Sequence, residues 1–463
     1  MIKKITVIAA LIFLAACTTP AEQNQHFLKG NELLANNQYS GALEQFKLAI
    51  NDNVFDAAAY IAAADILISK GQYEDALQIL TVASEQAQGK QVVFERMGKL
   101  KLLTNNLDES LAFYDQALAI DPNMREGILG KVKVLALQEA NEDLITYLSG
   151  LSLVESDHEL QILRAIAEID DLEKAKTDID RAAGSDGQIG EIAARLKEYI
   201  YLLDKPETKL FNLAQICFQV LSNGWNENAF PLTSKMIKEN EFYENGYIYR
   251  GIILLKLGRA DEAIENLLKG QNLNPKDEAT KVLLAQAYFL KNDTENGPKQ
   301  VRAVTVFTEK NIIEILQLLA DNDQFALTDE FIAKYQALDV RNLPLVKLAE
   351  LKIYIEAGNY TKAKEVADIL LPVADQFEFS KQAEAYALIG FANFKSGNKA
   401  DGIEQIKKSQ SLDRNNPLGY LYEAELLIDQ SQFDGARSAL ERAIDLDFSG
   451  KIAIEAQKLL NEL

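Results

Sequence analysis

Small residues recur every 34 positions along much of this chain. Ala42, Ala76 and Ser110 are 34 apart, and the same interval separates three further pairs: Cys217 and Gly251, Ala263 and Gly297, Gly402 and Ala436. A sequence period between about 20 and 50 residues is typical of architectures in which each unit buries its apolar face only against its neighbours. The chain is therefore expected to fold as a repeat array, although its 463 residues would otherwise suggest several globular domains.

Each period contains two helices joined by a turn. A second small residue lies 12 positions before the first set, in the pairs Gly30/Ala42, Ala64/Ala76, Gly98/Ser110, Gly251/Ala263, Ala285/Gly297, Gly390/Gly402 and Ala424/Ala436. Between them lie polar, often glycine-containing stretches such as "KGQYED" at 70–75, which supply turn and capping conformations. Small side chains let antiparallel helices approach closely. The pattern predicts an all-α chain.

This pattern resembles the tetratricopeptide repeat, whose period is also 34 residues. "FERMGKL" at 94–100 and "YIYRGIILL" at 247–255 match the first-helix landmark of that family, with Phe or Tyr in place of its Trp, and Pro122 and Pro275 stand where the second helix ends. The resemblance implies a right-handed superhelical solenoid of antiparallel helix pairs, irregular in the middle.

The strength of the pattern divides the chain. We expect an N-terminal array at 26–122, degenerate helical repeats at 123–206, a central array at 207–342 and a C-terminal array with a capping helix at 343–463. Helix counting leaves one helix without a partner, within 189–203. In the capping helix, Ile452, Ile454, Ala456 and Leu459 are expected to face inward.

The N-terminus carries a targeting signal. Lys3 and Lys4 precede an apolar run at 5–13 and the tetrad "LAAC" at 14–17; the run is too short to span a bilayer. The tetrad resembles the bacterial lipobox. That resemblance implies that residues 1–16 are a signal peptide and that Cys17 is lipidated, with palmitate among its acyl chains, and begins a tether at 17–25. The alternative is an ordinary secretory signal cut near a cysteine.

The residue after the cysteine bears on localisation. Lipoproteins of this kind tend to stay at the inner membrane when Asp follows the cysteine, and Thr18 stands there in this chain. The resemblance therefore implies the outer membrane, lipid-anchored and facing the periplasm, if the host is Gram-negative. After removal of Lys3 and Lys4 the chain has 46 basic and 69 acidic residues, a net charge of −23, which disfavours nucleic acid.

Catalytic chemistry has little support in the sequence. The two histidines, His26 and His158, are far apart in the chain, and neither a triad nor a zinc site can be assembled from them. Phosphate-binding and nucleotide-binding glycine motifs are absent. Cys217 occupies a small-residue position of the repeat and is expected to be a packing residue. We expect no enzyme activity, no catalytic residue, no cofactor and no metal.

The remaining candidate is the concave surface, which first helices line in tetratricopeptide solenoids. The resemblance places ten candidate partner-binding residues there: Tyr249, Ile252, Leu255, Gln286, Phe289, Phe391, Phe394, Leu421, Tyr422 and Glu425. Their apolar character either marks a binding patch or reflects packing against neighbouring helices in a tight superhelix.

The sequence thus predicts a non-enzymatic, lipid-anchored scaffold. Its partners would be other envelope proteins, bound through the concave surface, and the membrane, bound through the lipid; a small-molecule substrate is not expected. The expected role is envelope assembly or export, in pilus, outer-membrane protein or exopolysaccharide systems. The alternative is a glycan-binding or regulatory subunit of an exopolysaccharide synthesis and export complex, which requires aromatic rings exposed side by side.

Overall fold

The structure is a computed structural model that describes residues 24–447 and 450–463. The predicted signal peptide, the lipidated Cys17 and most of the tether lie outside these residues. The described part of the chain contains 26 α-helices and no strand, which confirms the all-α prediction. In the same ranges, every helix is too short or too polar to cross a membrane.

The helices follow one another at short intervals. They are α1 (Gln25–Ala35), α2 (Tyr39–Asp52), α3 (Ala57–Ser69), α4 (Tyr73–Gln86), α5 (Lys90–Leu103), α6 (Leu107–Ile120), α7 (Arg125–Leu137), α8 (Asn141–Ser149), α9 (His158–Ala167), α10 (Leu172–Ala183), α11 (Gln188–Ile200), α12 (Lys209–Ser222), α13 (Phe230–Glu239), α14 (Glu244–Lys256), α15 (Ala260–Leu273), α16 (Glu278–Leu290), α17 (Asn296–Ala303), α18 (Glu309–Asp321), α19 (Phe325–Tyr335), α20 (Pro344–Glu356), α21 (Tyr360–Leu370), α22 (Phe379–Lys395), α23 (Lys399–Leu412), α24 (Pro417–Asp429), α25 (Phe433–Leu446) and α26 (Lys451–Glu462).

The predicted turns join the two helices of each pair. Gly71 and Gly258 adopt φ of 71° and 72°, a left-handed conformation that costs glycine little. The next N–H groups close the turn: Gln72 donates to the Leu67 carbonyl at 2.9 Å, and Arg259 donates to the Leu254 carbonyl at 2.9 Å. This is the pattern that ends a helix at a left-handed residue, and it reverses the chain into an antiparallel hairpin.

Small residues sit where the two helices of a pair touch. A β-carbon placed on Gly30 would lie 2.5 Å from the Phe46 ring, and one placed on Gly390 would lie 2.8 Å from Cγ1 of Ile406. Such separations are well inside van der Waals contact, so the helices approach as closely as they do because side chains are missing at these positions.

The helices form two compact units, one of residues 24–96 and 347–463 and the other of residues 97–346. In the second unit one apolar cluster runs from Leu102 to Ala287, and α7 packs directly against α13. The turn after α7 is joined to α14, because Arg250 binds the Glu139 carboxylate. The domain boundaries read from the sequence stay predictions.

The stretch predicted to hold an unpaired helix contains α11 (Gln188–Ile200). It packs against α10 on one side and α12 on the other, while α9 with α10 and α12 with α13 form the flanking pairs. The expectation of one unmatched helix within 189–203 stays a prediction. Four of the five buried residues of α11 belong to the shared cluster, namely Ile192, Ala193, Leu196 and Ile200.

In the first unit, α26 packs against α25 and α24. Ala456 is buried as expected, but Ile454 is 71% exposed and Ala453 is buried in its place. The inward assignment of Ile454 is therefore wrong. The residues predicted to face inward included 452, 454 and 456, which are two apart, whereas one face of a helix carries residues three or four apart.

Candidate protein-binding groove

Three first helices of the second unit lie side by side. Helix α14 contacts α12 and α16, and each of the three also packs against its hairpin partner, α13, α15 or α17. Because neighbours cover the other sides of each helix, residues exposed in mid-helix line the one open face. We define the central groove face by five residues of these helices: the exposed Phe211, Phe218 and Gln286 and the half-buried Tyr249 and Ile252.

Exposed aromatic rings dominate this face. Phe211 is 56% and Phe218 is 49% exposed, and they lie seven residues, or two helical turns, apart on α12. Gln286 is exposed, whereas Tyr249 and Ile252 are half-buried. Tyr249 packs against the apolar cluster, and burial raises the pKa of its hydroxyl to about 12. The face thus combines a half-buried floor, Tyr249 and Ile252, with the exposed amide of Gln286 and two accessible phenyl rings.

Two other predicted residues of the central array point inward. Leu255 and Phe289 are buried, and the Phe289 ring packs against Gly297, where a β-carbon would lie 2.7 Å from it. Their apolar character is therefore explained by helix packing, and neither residue is part of an exposed binding surface.

The C-terminal candidates are buried as well. Phe391 and Tyr422 are 3% and 5% exposed; their rings stack at 3.9 Å, and Tyr360 meets Phe391 edge-on at 6.1 Å. Burial, reinforced by surrounding carboxylates, raises the pKa of Tyr422. Phe394 and Leu421 are also buried. At this end of the array the packing interpretation holds, since these aromatic rings contact one another.

Glu425 lies at the rim of a pocket of about 410 Å³ in the first unit. The pocket lies between α22, α24 and α26, with Leu459 of α26 on one wall. Its charged residues are paired with one another: Lys395 binds Glu425, and Lys399 binds Asp429 at 2.6 Å. With its charges neutralised in pairs, the pocket has no charge preference for a ligand.

The sequence analysis missed Phe211 and Phe218. The signal was available: Phe218 follows Cys217 as Ile252 follows Gly251 and Gln286 follows Ala285, so all three occupy one repeat position. Cys217 itself is fully buried, and burial raises the pKa of its thiol. That agrees with the packing role predicted for it.

Polar groups elsewhere are engaged in structure. Nδ1 of His26 lies 2.8 Å from Oε1 of Gln45, and Nδ1 of His158 lies 3.1 Å from Oε1 of Gln161. Across residues 24–447 and 450–463, no three His, Cys, Asp or Glu side chains come together as metal ligands.

The fold defines a helical repeat protein with an open apolar face. Sequence profiles of the tetratricopeptide repeat match residues 27–90, 93–124 and 246–277. The chain therefore contains tetratricopeptide repeats, and the last matched segment includes Tyr249 and Ile252. None of the curated proteins matches the chain.

Several solved structures resemble the chain at low identity. The Cut9–Hcn1 hetero-tetramer of the APC/C gives 13% identity over 96% of each chain with a TM-score of 0.41. Yeast Tom70 gives 14% identity over 95% of this chain and 94% of its own, with a TM-score of 0.37. A tetratricopeptide repeat protein of Parabacteroides merdae gives 16% identity over 57% of this chain and 97% of its own, with a TM-score of 0.33.

Proposed function

We propose that this chain is a non-enzymatic, lipid-anchored scaffold that binds a protein partner through the central groove face. Cys17 carries the lipid, and in a Gram-negative host the protein faces the periplasm from the outer membrane. The role is assembly or export in the envelope, as in pilus, outer-membrane protein or exopolysaccharide systems. The observation that carries the proposal is the exposure of Phe211 and Phe218 on one face of α12.

The exposed rings favour a protein partner with apolar side chains. Two helical turns place Phe211 and Phe218 about 10.5 Å apart along the axis. Fully burying a phenylalanine contributes about 1.5–3 kcal/mol, so covering two half-exposed rings contributes a similar total. Helix packing holds the floor of Tyr249 and Ile252 in place, which lowers the entropy cost of binding.

The glycan-binding alternative has less support. It requires aromatic rings exposed side by side, and the stacked rings in the C-terminal array, Phe391 and Tyr422, are buried. Burial keeps a sugar from these two rings. The exposed rings, Phe211 and Phe218, lie two helical turns apart on α12 and not side by side.

Site-specific crosslinking tests the groove. A photo-crosslinking amino acid at position 218 or 252, in the native envelope, should capture one common protein. The matched control is position 242, since Phe242 is 70% exposed in the loop between α13 and α14. Phe218→Glu should then abolish capture from position 252, while Phe242→Glu leaves it intact. Equal capture from all three positions, or capture that survives Phe218→Glu, would refute the groove assignment.

The anchor is tested separately. Cys17→Ser should abolish incorporation of labelled palmitate and leave the precursor uncleaved, because the thiol that carries the lipid is missing. Labelling that persists in this variant contradicts the lipoprotein assignment without bearing on the groove.

A further inference from the structure

The described chain begins at one defined edge of the array. The Asn24 side-chain amide donates to the Ala49 carbonyl at 3.0 Å, near the end of α2, and Nδ1 of His26 lies 2.8 Å from Oε1 of Gln45. These bonds fix the start of α1 beside the C-terminal end of α2. The tether therefore meets the array a few residues from the loop that joins α2 to α3.

That loop presents two exposed apolar residues. Val54 is 37% and Phe55 is 58% exposed. The loop backbone is nevertheless fixed: the Phe55 N–H donates to the Asn53 side chain at 3.1 Å, and the Gln88 N–H donates to the Phe55 carbonyl at 3.0 Å. Asp56 caps α3 by accepting from the Ala58 N–H at 3.0 Å. A braced loop therefore holds both side chains at the surface.

Repeat packing does not require this apolar pair. The aligned loops of other repeats carry Gln88–Gly89, Pro122–Asn123, Glu241–Phe242, Pro275–Lys276 and Arg414–Asn415. A phenylalanine recurs once, at Phe242, but with a glutamate before it. Among these six aligned loops, only the one beside the tether combines two side chains that both prefer an apolar surrounding.

We infer that Val54 and Phe55 insert into the lipid interface next to the anchored N-terminus. The inference rests on the proposed lipidation of Cys17, which is seven residues before Asn24 and so within about 25 Å of it even in a fully extended chain. Aromatic side chains are favoured at the headgroup level of a bilayer, and apolar insertion adds to the binding given by acyl chains.

The charged residues beside Val54 and Phe55 indicate which lipid headgroups this surface fits. Asp52 and Asp56 flank the pair, and Nε2 of His26 lies 3.9 Å from Oδ2 of Asp52. Carboxylates at this edge are not attracted to anionic headgroups, so the surface fits a zwitterionic interface. The N-terminal end of α2 contacts another helix instead: the Ser40 N–H donates to the carboxylate of Asp445 of α25 at 3.4 Å.

Depth-dependent quenching tests this inference on the lipidated full-length chain. The protein is reconstituted in phosphatidylethanolamine and phosphatidylcholine vesicles that contain nitroxide-labelled lipid. A fluorophore is attached at Phe55→Cys or, in a second variant that keeps the phenyl ring, at Val54→Cys. Cys217 does not interfere because it is fully buried. The matched control is Glu74→Cys, exposed near the turn at the other end of α3, about 20 Å away along that helix.

The expected result is strong quenching at positions 54 and 55 and little at position 74. Adding Phe55→Asn to the Val54→Cys variant should weaken the seating of the loop by about tenfold, equivalent to roughly 1.4 kcal/mol. Equal quenching at positions 54, 55 and 74, in protein that floats with the vesicles, would overturn this inference but not the lipid anchor. The exposed loop would then be a candidate contact for a protein partner. Protein that does not float would remove both the anchor and the inference.

Discussion

The closeness of the paired helices can be tested at Gly251. A β-carbon on Gly251 of α14 would lie 2.5 Å from Cγ and 2.7 Å from Cδ2 of Leu267 on α15. Leu267 is fully buried, and Cγ is the branch point of its side chain, so it cannot swing aside. Gly98 provides a matched control in the same unit, because its β-carbon would lie 3.0 Å from the Tyr114 ring, a misfit of a few tenths of an ångström.

Two opposing effects set the size of the change. Replacing a mid-helix glycine by alanine stabilises a helix by about 1 kcal/mol, whereas overpacking a core costs about 1–3 kcal/mol. At Gly98 the two effects nearly cancel. At Gly251 the clash is deeper, so Gly251→Ala should lower the free energy of unfolding by about 1–2 kcal/mol. For a unit of this size, that corresponds to a melting temperature lower by about 2–8 °C.

Thermal denaturation followed by helical circular dichroism measures both variants. A double-mutant cycle with Leu267→Ala tests the cause, because removing the leucine removes the clash and should make Gly251→Ala neutral or stabilising in that background. If Gly251→Ala lowers the melting temperature no more than Gly98→Ala does, the idea that small residues set the helix spacing is wrong.

Three further outcomes are expected. Arg164→Ala should cost about 3–5 kcal/mol in urea denaturation, because it strips the buried Asp178 carboxylate of bonds at 2.5 and 2.7 Å. Cys217 should react with a thiol reagent only on unfolding, since burial raises its pKa; rapid reaction of native protein would contradict this. Burial and then Glu425 raise the pKa of Glu455, so folding favours its protonated form and Glu455→Gln should raise the melting temperature at neutral pH, with the gain vanishing near about pH 4. That gain should be small, because Glu455 is exposed to solvent.

The sequence predicts most of the fold because successive repeats carry the same signals for turns and for helix contacts. Gly71 and Gly258 mark turns, and pairs such as Gly30 with Phe46 mark helix contacts; each signal recurs 34 residues later, so chance matches are averaged out. Counting helices alone predicts a helix in the region of α11. The packing of α7 against α13 could not, since that contact joins residues about 100 positions apart and no periodic pattern specifies it.

The candidate groove was predicted less well, because the position of a residue in the repeat determines the helix face on which it lies but not its exposure to solvent. Phe391 and Phe218 both follow a first small residue of a repeat, Gly390 and Cys217. The first is buried and the second is half-exposed. The register therefore identified the face on which each residue lies, and the neighbouring residues decided whether solvent reaches it.

One position at the start of the second helix accounts for the burial of Phe391. Tyr360 stands three residues before Ala363, and its ring reaches Phe391 of the next repeat. The corresponding residues of the central array are Asn226, before Ala229, and Ala260, before Ala263. Their side chains are too short to cover Ile252 and Gln286, the residues that occupy the position of Phe391. A bulky residue at this position thus covers the first helix of the next repeat locally, and a short one leaves it open, which agrees with the exposure of Gln286 and the partial exposure of Ile252.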